Sequence, residues 1–310
     1  MGDFIFGTSK AMKDVKRAVY EIASSDLPVF IEGETGTGKT LLARTIHDIS
    51  HRNIYNFEIL DCASLSETLV ESSLFGYEKG AFTDAKERKK GIFEIVNKGT
   101  LFLDEVQNFN GSVQKKLLTI LGDNCFKRVG GNDDIFVDFR IISASNDHLR
   151  DKVSNGEFRR DLFYRLKGTE IYLPPLRERK EDIYLIAESF LKILNMSKGW
   201  ERVFSSKVKS LLESYIWPGN IRELKHAVTE AAFRAKNNVI DCSYFSLNCG
   251  ECFSVIESSQ HHSSLAQIEK EYISYVLKIV KNNKTQAAKR LGIGLNTLYR
   301  KIQKYGLLDV

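Results

Sequence analysis

Gly33-Glu34-Thr35-Gly36-Thr37-Gly38-Lys39-Thr40 lies between an apolar run, Pro28 to Ile31, and a helical one, Leu41 to Ile49. The order is strand, glycine loop, helix. Glycines let successive backbone N–H groups turn inward on a phosphate at the positive end of the following helix. Lys39 has the length to reach the β- and γ-phosphates, and the Thr40 hydroxyl can ligate Mg²⁺. At average residue frequencies a G-x4-G-K-[ST] match arises by chance in roughly one chain of this size in a hundred. The strand and helix on either side reduce that further. A nucleotide site lined by Gly33 through Thr40 is therefore expected, ahead of a glycine-rich surface turn.

Outward from the loop, five short apolar segments read as buried strands: Pro28–Ile31, Phe57–Leu60, Leu101–Leu103, Arg140–Ser143 and Ile171–Leu173. Helical stretches separate them, which predicts a largely parallel sheet in an α/β domain. Between the third and fourth, two apolar runs beginning at Phe126 and Ile135 flank Gly130-Gly131-Asn132-Asp133-Asp134, a pattern for a hairpin. The third strand runs into Asp104-Glu105. In a phosphate-loop protein this places Asp104 beside Mg²⁺ and Glu105 where it can polarise the attacking water. Asn146 closes the fourth strand, placed equally well to sense a γ-phosphate or to make a strand-end turn. Pro174-Pro175 ends the pattern. From Glu181 to about Ala235 the period is helical, broken at Trp217-Pro218-Gly219-Asn220. Asn220 is expected to cap the next helix, with Glu223 completing a capping box.

The chain has 310 residues, 43% of them hydrophobic, enough for two or three domains. No apolar run approaches the roughly 20 residues of a membrane span, and the first residues lack the regions of a signal peptide. A cytoplasmic protein without membrane contact is expected. Five scattered cysteines argue against a disulfide framework. Cys249 and Cys252 have zinc-like spacing, but with Cys242, His261 and His262 they stand in linker-like surroundings, and free thiols are expected. The net charge of +5 is uneven: from Leu265 to Val310 there are nine Lys or Arg against three Asp or Glu. A basic tail on a neutral body suits a nucleic-acid module, a solvated helix face being the plainer alternative.

The tail follows a polar, aperiodic stretch, 246–264, that reads as a linker. Leu265 to Val280 forms an amphipathic pattern through Ile268, Tyr272, Val276 and Ile279. A helix, a turn at Gly292 and a basic second helix come next. In a helix-turn-helix the start of that second helix enters the major groove, so Asn296, Thr297, Arg300 and Lys301 are candidate base or phosphate contacts, with Leu298 and Ile302 as packing.

Phe75 to Ala85 is, by chemistry alone, a glycine-bounded surface loop exposing one aromatic ring and one hydroxyl. Phe158 to Leu166 holds arginines that can pair with Asp161 or Glu157. Taken with the phosphate loop, these segments resemble the AAA+ ATPases, and among them the NtrC-like bacterial enhancer-binding proteins that activate sigma-54 RNA polymerase. The resemblance covers Ile5 to about Ala235 and the tail, which is similar to the dimeric Fis-type DNA-binding domain. It implies four units: an α/β AAA+ subdomain at 1–173, a helical lid at 174–245, the linker, and a helix-turn-helix at 265–310. It implies that ATP and Mg²⁺ are the cofactors and that a hexameric ring is the active form. Asn146 then corresponds to the first sensor, Arg222 to the second, and Arg159 and Arg165 to arginine fingers directed at a neighbouring subunit. Gly80, Ala81, Phe82, Thr83, Asp84 and Ala85 correspond to the loop that grips sigma-54, with Phe82 and Thr83 in contact.

Three residues depart from that family. Asp84 replaces a glycine of the gripping loop. Asp61 stands where an Asn usually holds the catalytic Glu, and an Asp there is expected to repel Glu105 or share a proton with it. Thr40 replaces a Glu found in many members and restores a direct Mg²⁺ ligand. The implied function is ATP-driven remodelling of the sigma-54 polymerase closed complex from upstream DNA; the alternative is a DNA-bound regulator that no longer activates. Only 32 residues precede Gly33, so regulation is expected in trans, from expression level, or from a domain outside this sequence.

Overall fold

The computed structural model describes residues 4–63, 67–83, 85–146, 149–247, 269–270, 272–274, 276–277 and 283–306. By contacts the chain divides into two units, Met1–Ser246 and Leu247–Val310.

The first unit is built on five parallel strands in the order Phe57–Asp61, Thr100–Asp104, Arg140–Ser145, Val29–Glu32, Thr169–Tyr172. These are the five segments expected from the apolar runs. The three inner strands are almost wholly buried and the two outer ones alternate, as their places in the sheet require. Successive side chains point to opposite faces, so one strand feeds two cores. Leu101 and Leu103 pack with Leu117, Ile120 and Leu162, whereas Phe102 packs with Met12, Leu42 and Ile46.

Helix Lys10–Ala23 is pinned at both ends. Ser9 caps its start, and the buried Arg140 guanidinium donates to the Ile22 and Ala23 carbonyls at its end. The anticipated hairpin pairs Cys125–Phe126 with Ile135–Phe136. The helical region contains Lys180–Lys198, Ser206–Ser214 and Asn220–Arg234. It also contains a small parallel pair, Val203–Phe204 with Val239–Ile240, which two-residue strands leave no periodicity to predict.

Asn220 is not the cap of its helix. Gly219 holds that position, and the Glu223 carboxylate accepts from the Gly219 N–H at 2.8 Å. Asn220 is drawn away by longer-range partners described below.

Asp182, fully buried in the first turn of Lys180–Lys198, accepts from the Ser9 N–H and hydroxyl at 2.9 and 2.6 Å. Gly7 makes this approach possible: its φ is +69°, and a Cβ there would lie 2.3 Å from the Asp182 carboxyl carbon.

In the second unit, residues 269–270, 272–274 and 276–277 are helical and lie ahead of helices Lys284–Leu291 and Leu295–Tyr305. Ile273, Val276, Leu277, Ala287, Leu298 and Ile302 form its core. The expected apolar positions Ile268 and Ile279 lie outside the described residues, as do Cys249 and Cys252.

Candidate active site

The strand ends of a parallel sheet collect the polar groups, as open α/β sheets do at their carboxyl edge. Val29–Glu32 delivers the phosphate loop, and Lys39–Asp48 carries it away as a helix. Gly36, at φ +82°, comes so close to the helical region that a Cβ would meet the Gly219 carbonyl oxygen at 2.4 Å. The Ile221 and Arg222 N–H groups donate to the Gly36 carbonyl at 2.9 and 3.3 Å. Phe4 and Ile221 flank Gly38 with apolar surface.

Lys39 is buried, and its ammonium donates to the Gly33 and Glu34 carbonyls at 2.8 and 3.2 Å. Burial pushes its pKa down, Asp104 and Glu105 oppose that, and Arg222 adds to it. Thr40 Oγ1 donates to Asp104 Oδ2 at 3.3 Å. Burial raises the Asp104 carboxyl, against the pull of Lys39. A hydroxyl and a carboxylate side by side are hard oxygen donors, which suits Mg²⁺. Glu105 adopts a left-handed backbone, φ 56° and ψ 46°, at a cost of about 1 kcal/mol. Its Oε1 accepts from Asn146 Nδ2 at 3.2 Å and its Oε2 from Asn108 Nδ2 at 3.3 Å. Asn146 Nδ2 also donates to Thr35 Oγ1 at 3.0 Å, joining the carboxylate to the phosphate loop.

Other expected residues are engaged differently. The Glu34 side chain does not line the loop; it accepts a two-pronged bond from Arg177, at 2.9 and 2.6 Å, and one from Asn220 Nδ2 at 3.1 Å. Asn220 also donates to the Thr35 carbonyl and accepts from the Leu176 N–H, which is why it leaves its own helix uncapped. The buried Arg179, its pKa pushed down to about 10 by burial against the pull of Asp182, donates to the Thr37 carbonyl at 3.1 Å. Arg159 pairs with Asp161, one of the two sequence alternatives, and Arg165 donates to the Leu121 carbonyl. Asp61 Oδ1 accepts from the Ala63 N–H at 3.0 Å.

The Phe75–Ala85 segment stands on a stem absent from the sequence expectations: Gly76–Tyr77 pairs antiparallel with Lys89–Lys90. Glu78 N–H donates to the Val129 carbonyl and Val129 N–H to that of Gly76, tying the stem to the neighbouring hairpin. The buried Arg128 bonds Glu94 and Glu78. Above this base Gly80 N–H closes on the Ala85 carbonyl at 2.9 Å. Phe82, 43% exposed, rests edge-on against Tyr77 at 4.8 Å, and Thr83 is exposed. Ala85 is buried, and Asp84 lies outside the described residues.

Residues 5–172 match the Sigma-54 interaction domain, residues 177–252 an AAA+ ATPase lid domain, and residues 264–305 the bacterial regulatory protein, Fis family. The chain belongs to the sigma-54 interaction domain family. It is 40% identical over 312 residues to the regulatory protein AtoC of Escherichia coli, covering 98% of this chain and 68% of that protein. It is also 40% identical over 315 residues to a signal-transduction and transcriptional-control protein of Clostridium beijerinckii, of which it spans 49%. A crystal structure of NtrX from Brucella abortus has a TM-score of 0.74 at 31% identity, over 97% of this chain and 69% of that one. NtrX has also been crystallised with ATP, and that structure has the same TM-score at 30% identity over 99% of this chain and 70% of that one.

The sigma-54 interaction domain is thus an AAA+ ATPase fold with its lid bonded directly to the phosphate loop. In the Fis-family unit, Asn296, Thr297 and Arg300 are exposed at the start of Leu295–Tyr305. Lys301 is not: it forms an ion pair with Glu269, whose other oxygen accepts from Tyr305 Oη at 2.6 Å. Four residues escaped sequence reasoning. Arg177, Arg179 and Asn108 belong to no motif, and Gln107 differs from an ordinary turn residue only by being buried. Among the described residues no group of three or more His, Cys, Asp or Glu could hold a metal ion, and no helix is long and apolar enough to cross a membrane. Cys242 is a free thiol.

Proposed function

We propose that this chain is the ATP-driven, DNA-bound part of a bacterial sigma-54 activator. It hydrolyses ATP within a hexameric ring and uses the Phe82–Thr83 loop to remodel the sigma-54 polymerase closed complex. The observation that carries this is the exposed Phe82–Thr83 tip on a braced stem, in the same unit as a hydrolytic edge that joins Lys39, Thr40, Asp104, Glu105 and Asn146.

Lys39, buried at the loop, would bind the β- and γ-phosphates beside the N–H groups of the Gly33–Thr40 loop. Thr40 Oγ1 and the Asp104 carboxylate would hold Mg²⁺, which supplies charge neutralisation on the phosphates. Glu105 takes the proton of the attacking water, and Asn146 holds Glu105 against the loop. Arg222 reports nucleotide state through the lid backbone bonded to Gly36. Arg159 and Arg165, on the exposed surface, act across a subunit boundary by exchanging their present partners for phosphate oxygens. The Fis-type unit docks Asn296, Thr297 and Arg300 on paired half-sites of upstream DNA in the cytoplasm.

The test is an ATP-dependent open-complex assay on a sigma-54 promoter with wild type and Thr83→Ala. Wild type should open the promoter and Thr83→Ala should not, at equal ATPase activity. Wild-type failure with intact ATPase activity and DNA binding would favour a DNA-bound regulator that no longer activates. Asp61 favours that second reading, since a carboxyl group lacks the amide N–H donors that an Asn would offer to Glu105.

A further inference from the structure

Glu105 accepts a hydrogen bond from each of two amides, Asn146 and Asn108, and thereby orients a row of side chains. Asn146 must turn its NH₂ toward Glu105 Oε1, at 3.2 Å, and Thr35 Oγ1, at 3.0 Å. Its carbonyl oxygen then faces Gln107, which donates from Nε2. Gln107 Oε1 is left facing Ser145, whose hydroxyl donates to it at 2.8 Å. One direction of donation runs from Ser145 through Gln107 and Asn146 to the carboxylate. Ser145 and Gln107 are 0% and 7% exposed, so water is a poor substitute for either bond. Gln107 sits in the tight turn Val106–Asn108 that follows Glu105, and Lys152 donates to its backbone carbonyl at 3.4 Å. Backbone and side chain are both held, and only one rotation of the Gln107 amide satisfies its two neighbours.

We propose that Gln107 is a positioning residue for ATP hydrolysis: it fixes the Asn146 amide with its N–H groups toward Glu105 and the phosphate loop. This rests on the roles given above to Glu105 and Asn146. Turned the other way, Asn146 would set a carbonyl oxygen against the carboxylate and release Glu105 from the loop.

The experiment is steady-state ATP hydrolysis by the full chain, with thermal melts, for Gln107→Met, Gln107→Glu, Asn146→Ala and the double variant Asn146→Ala/Gln107→Met. Gln107→Met keeps the shape and removes the donor; Gln107→Glu inverts the polarity facing Asn146. Misplacement of a catalytic group costs up to about a hundredfold. We expect a kcat loss of about tenfold for Met and about a hundredfold for Glu, with KM for ATP within about twofold and unchanged melts. In the Asn146→Ala background, Gln107→Met should have no further effect, since no amide is left to orient. Wild-type kcat in Gln107→Glu, or losses that multiply in the double variant, would overturn the proposal. If neither Gln107 variant folds, Ser145→Ala takes their place: a kcat loss present alone and absent with Asn146→Ala supports the row, and an unchanged kcat refutes it. A wild type without ATPase activity would overturn the site reading, and this proposal with it.

Discussion

Around the phosphate loop the polar groups make their bonds inside the chain, whereas the output loop turns its chemistry outward. Lys39 is 7% exposed and Phe82 is 43% exposed. The loop Gly33–Thr40 is reached by Asn146 from the sheet and by Arg177, Arg179 and Asn220 from the helical region. The base of the output loop is held through Arg128 and the Val129 backbone, while Phe82 and Thr83 stay exposed. Phosphoryl transfer needs groups fixed within fractions of an ångström; gripping a partner needs a tip left open on a stiff stem. One unit meets both demands by bracing the first region from sheet and helical region together and the second at its base.

The contrast is broken most severely at its centre. Lys39→Ala removes the buried ammonium of the phosphate loop, and kcat/KM for ATP should fall by about 10²- to 10³-fold. DNA affinity of the full chain, measured without nucleotide, should stay within about twofold because the Fis-type unit has its own core. A parallel fall in both would mean the regions are not separable.

The stem comes next. Arg128 is buried between Glu94 and Glu78, and its charge holds the Glu94 carboxyl below the usual range even though burial pushes that group up. Arg128→Ala leaves Glu94 with the Gly91 N–H and Glu78 with Arg88 at 3.7 Å, and urea unfolding should show a loss of about 3 kcal/mol. A loss under about 1 kcal/mol would mean that backbone pairing alone carries the stem.

The clamp between loop and lid is weaker and sensitive to pH. The bond from Arg177 lowers the Glu34 pKa, assisted by Asn220, while burial opposes it. A depressed carboxylate stabilises the fold above its unfolded value, about 4.3, and that contribution is lost as pH falls through the lower folded value. Both side chains are about two-fifths exposed, so solvent screening limits the effect to under about 1 kcal/mol. At pH 7 wild type should therefore melt slightly above Glu34→Gln, and the difference should shrink as pH falls below the unfolded value of about 4.3. An advantage that persists in acid would show that the clamp is not ionic.

The two regions also differ in how far the sequence discloses them. Gly33–Thr40, Asp104 and Glu105 are legible because their chemistry depends on local order: strand, loop, helix, then an apolar strand ending in acids. The three inner strands were legible for the same reason, burial on both faces leaving unbroken apolar runs, and the two outer ones by their shorter apolar stretches. The bond between Glu34 and Arg177 was not legible because the two lie 143 residues apart, and no local pattern records such a pair. Asn220 has every local qualification for a cap, and a tertiary contact with the loop outweighs it. The stem of the output loop was invisible because strands of two residues have no period.

Lys301 teaches the same lesson in the second unit and gives the smallest expected effect. Sequence position groups it with Arg300, since both are cations near the start of a basic helix. The fold separates them: Arg300 is exposed, while Lys301 is neutralised by Glu269, itself held by Tyr305. A cation already paired within the protein adds no net charge to a phosphate contact. Arg300→Gln should weaken binding to a specific half-site by about tenfold and reduce the salt slope by about one. The paired substitution Glu269→Gln with Lys301→Gln leaves the net charge unchanged and should keep affinity within about twofold and the slope unaltered. Binding by fluorescence anisotropy across a salt series distinguishes the two. A loss in the paired variant as large as that of Arg300→Gln would show that Lys301 leaves Glu269 to meet DNA, and that exposure in the free chain does not identify the residues that read it.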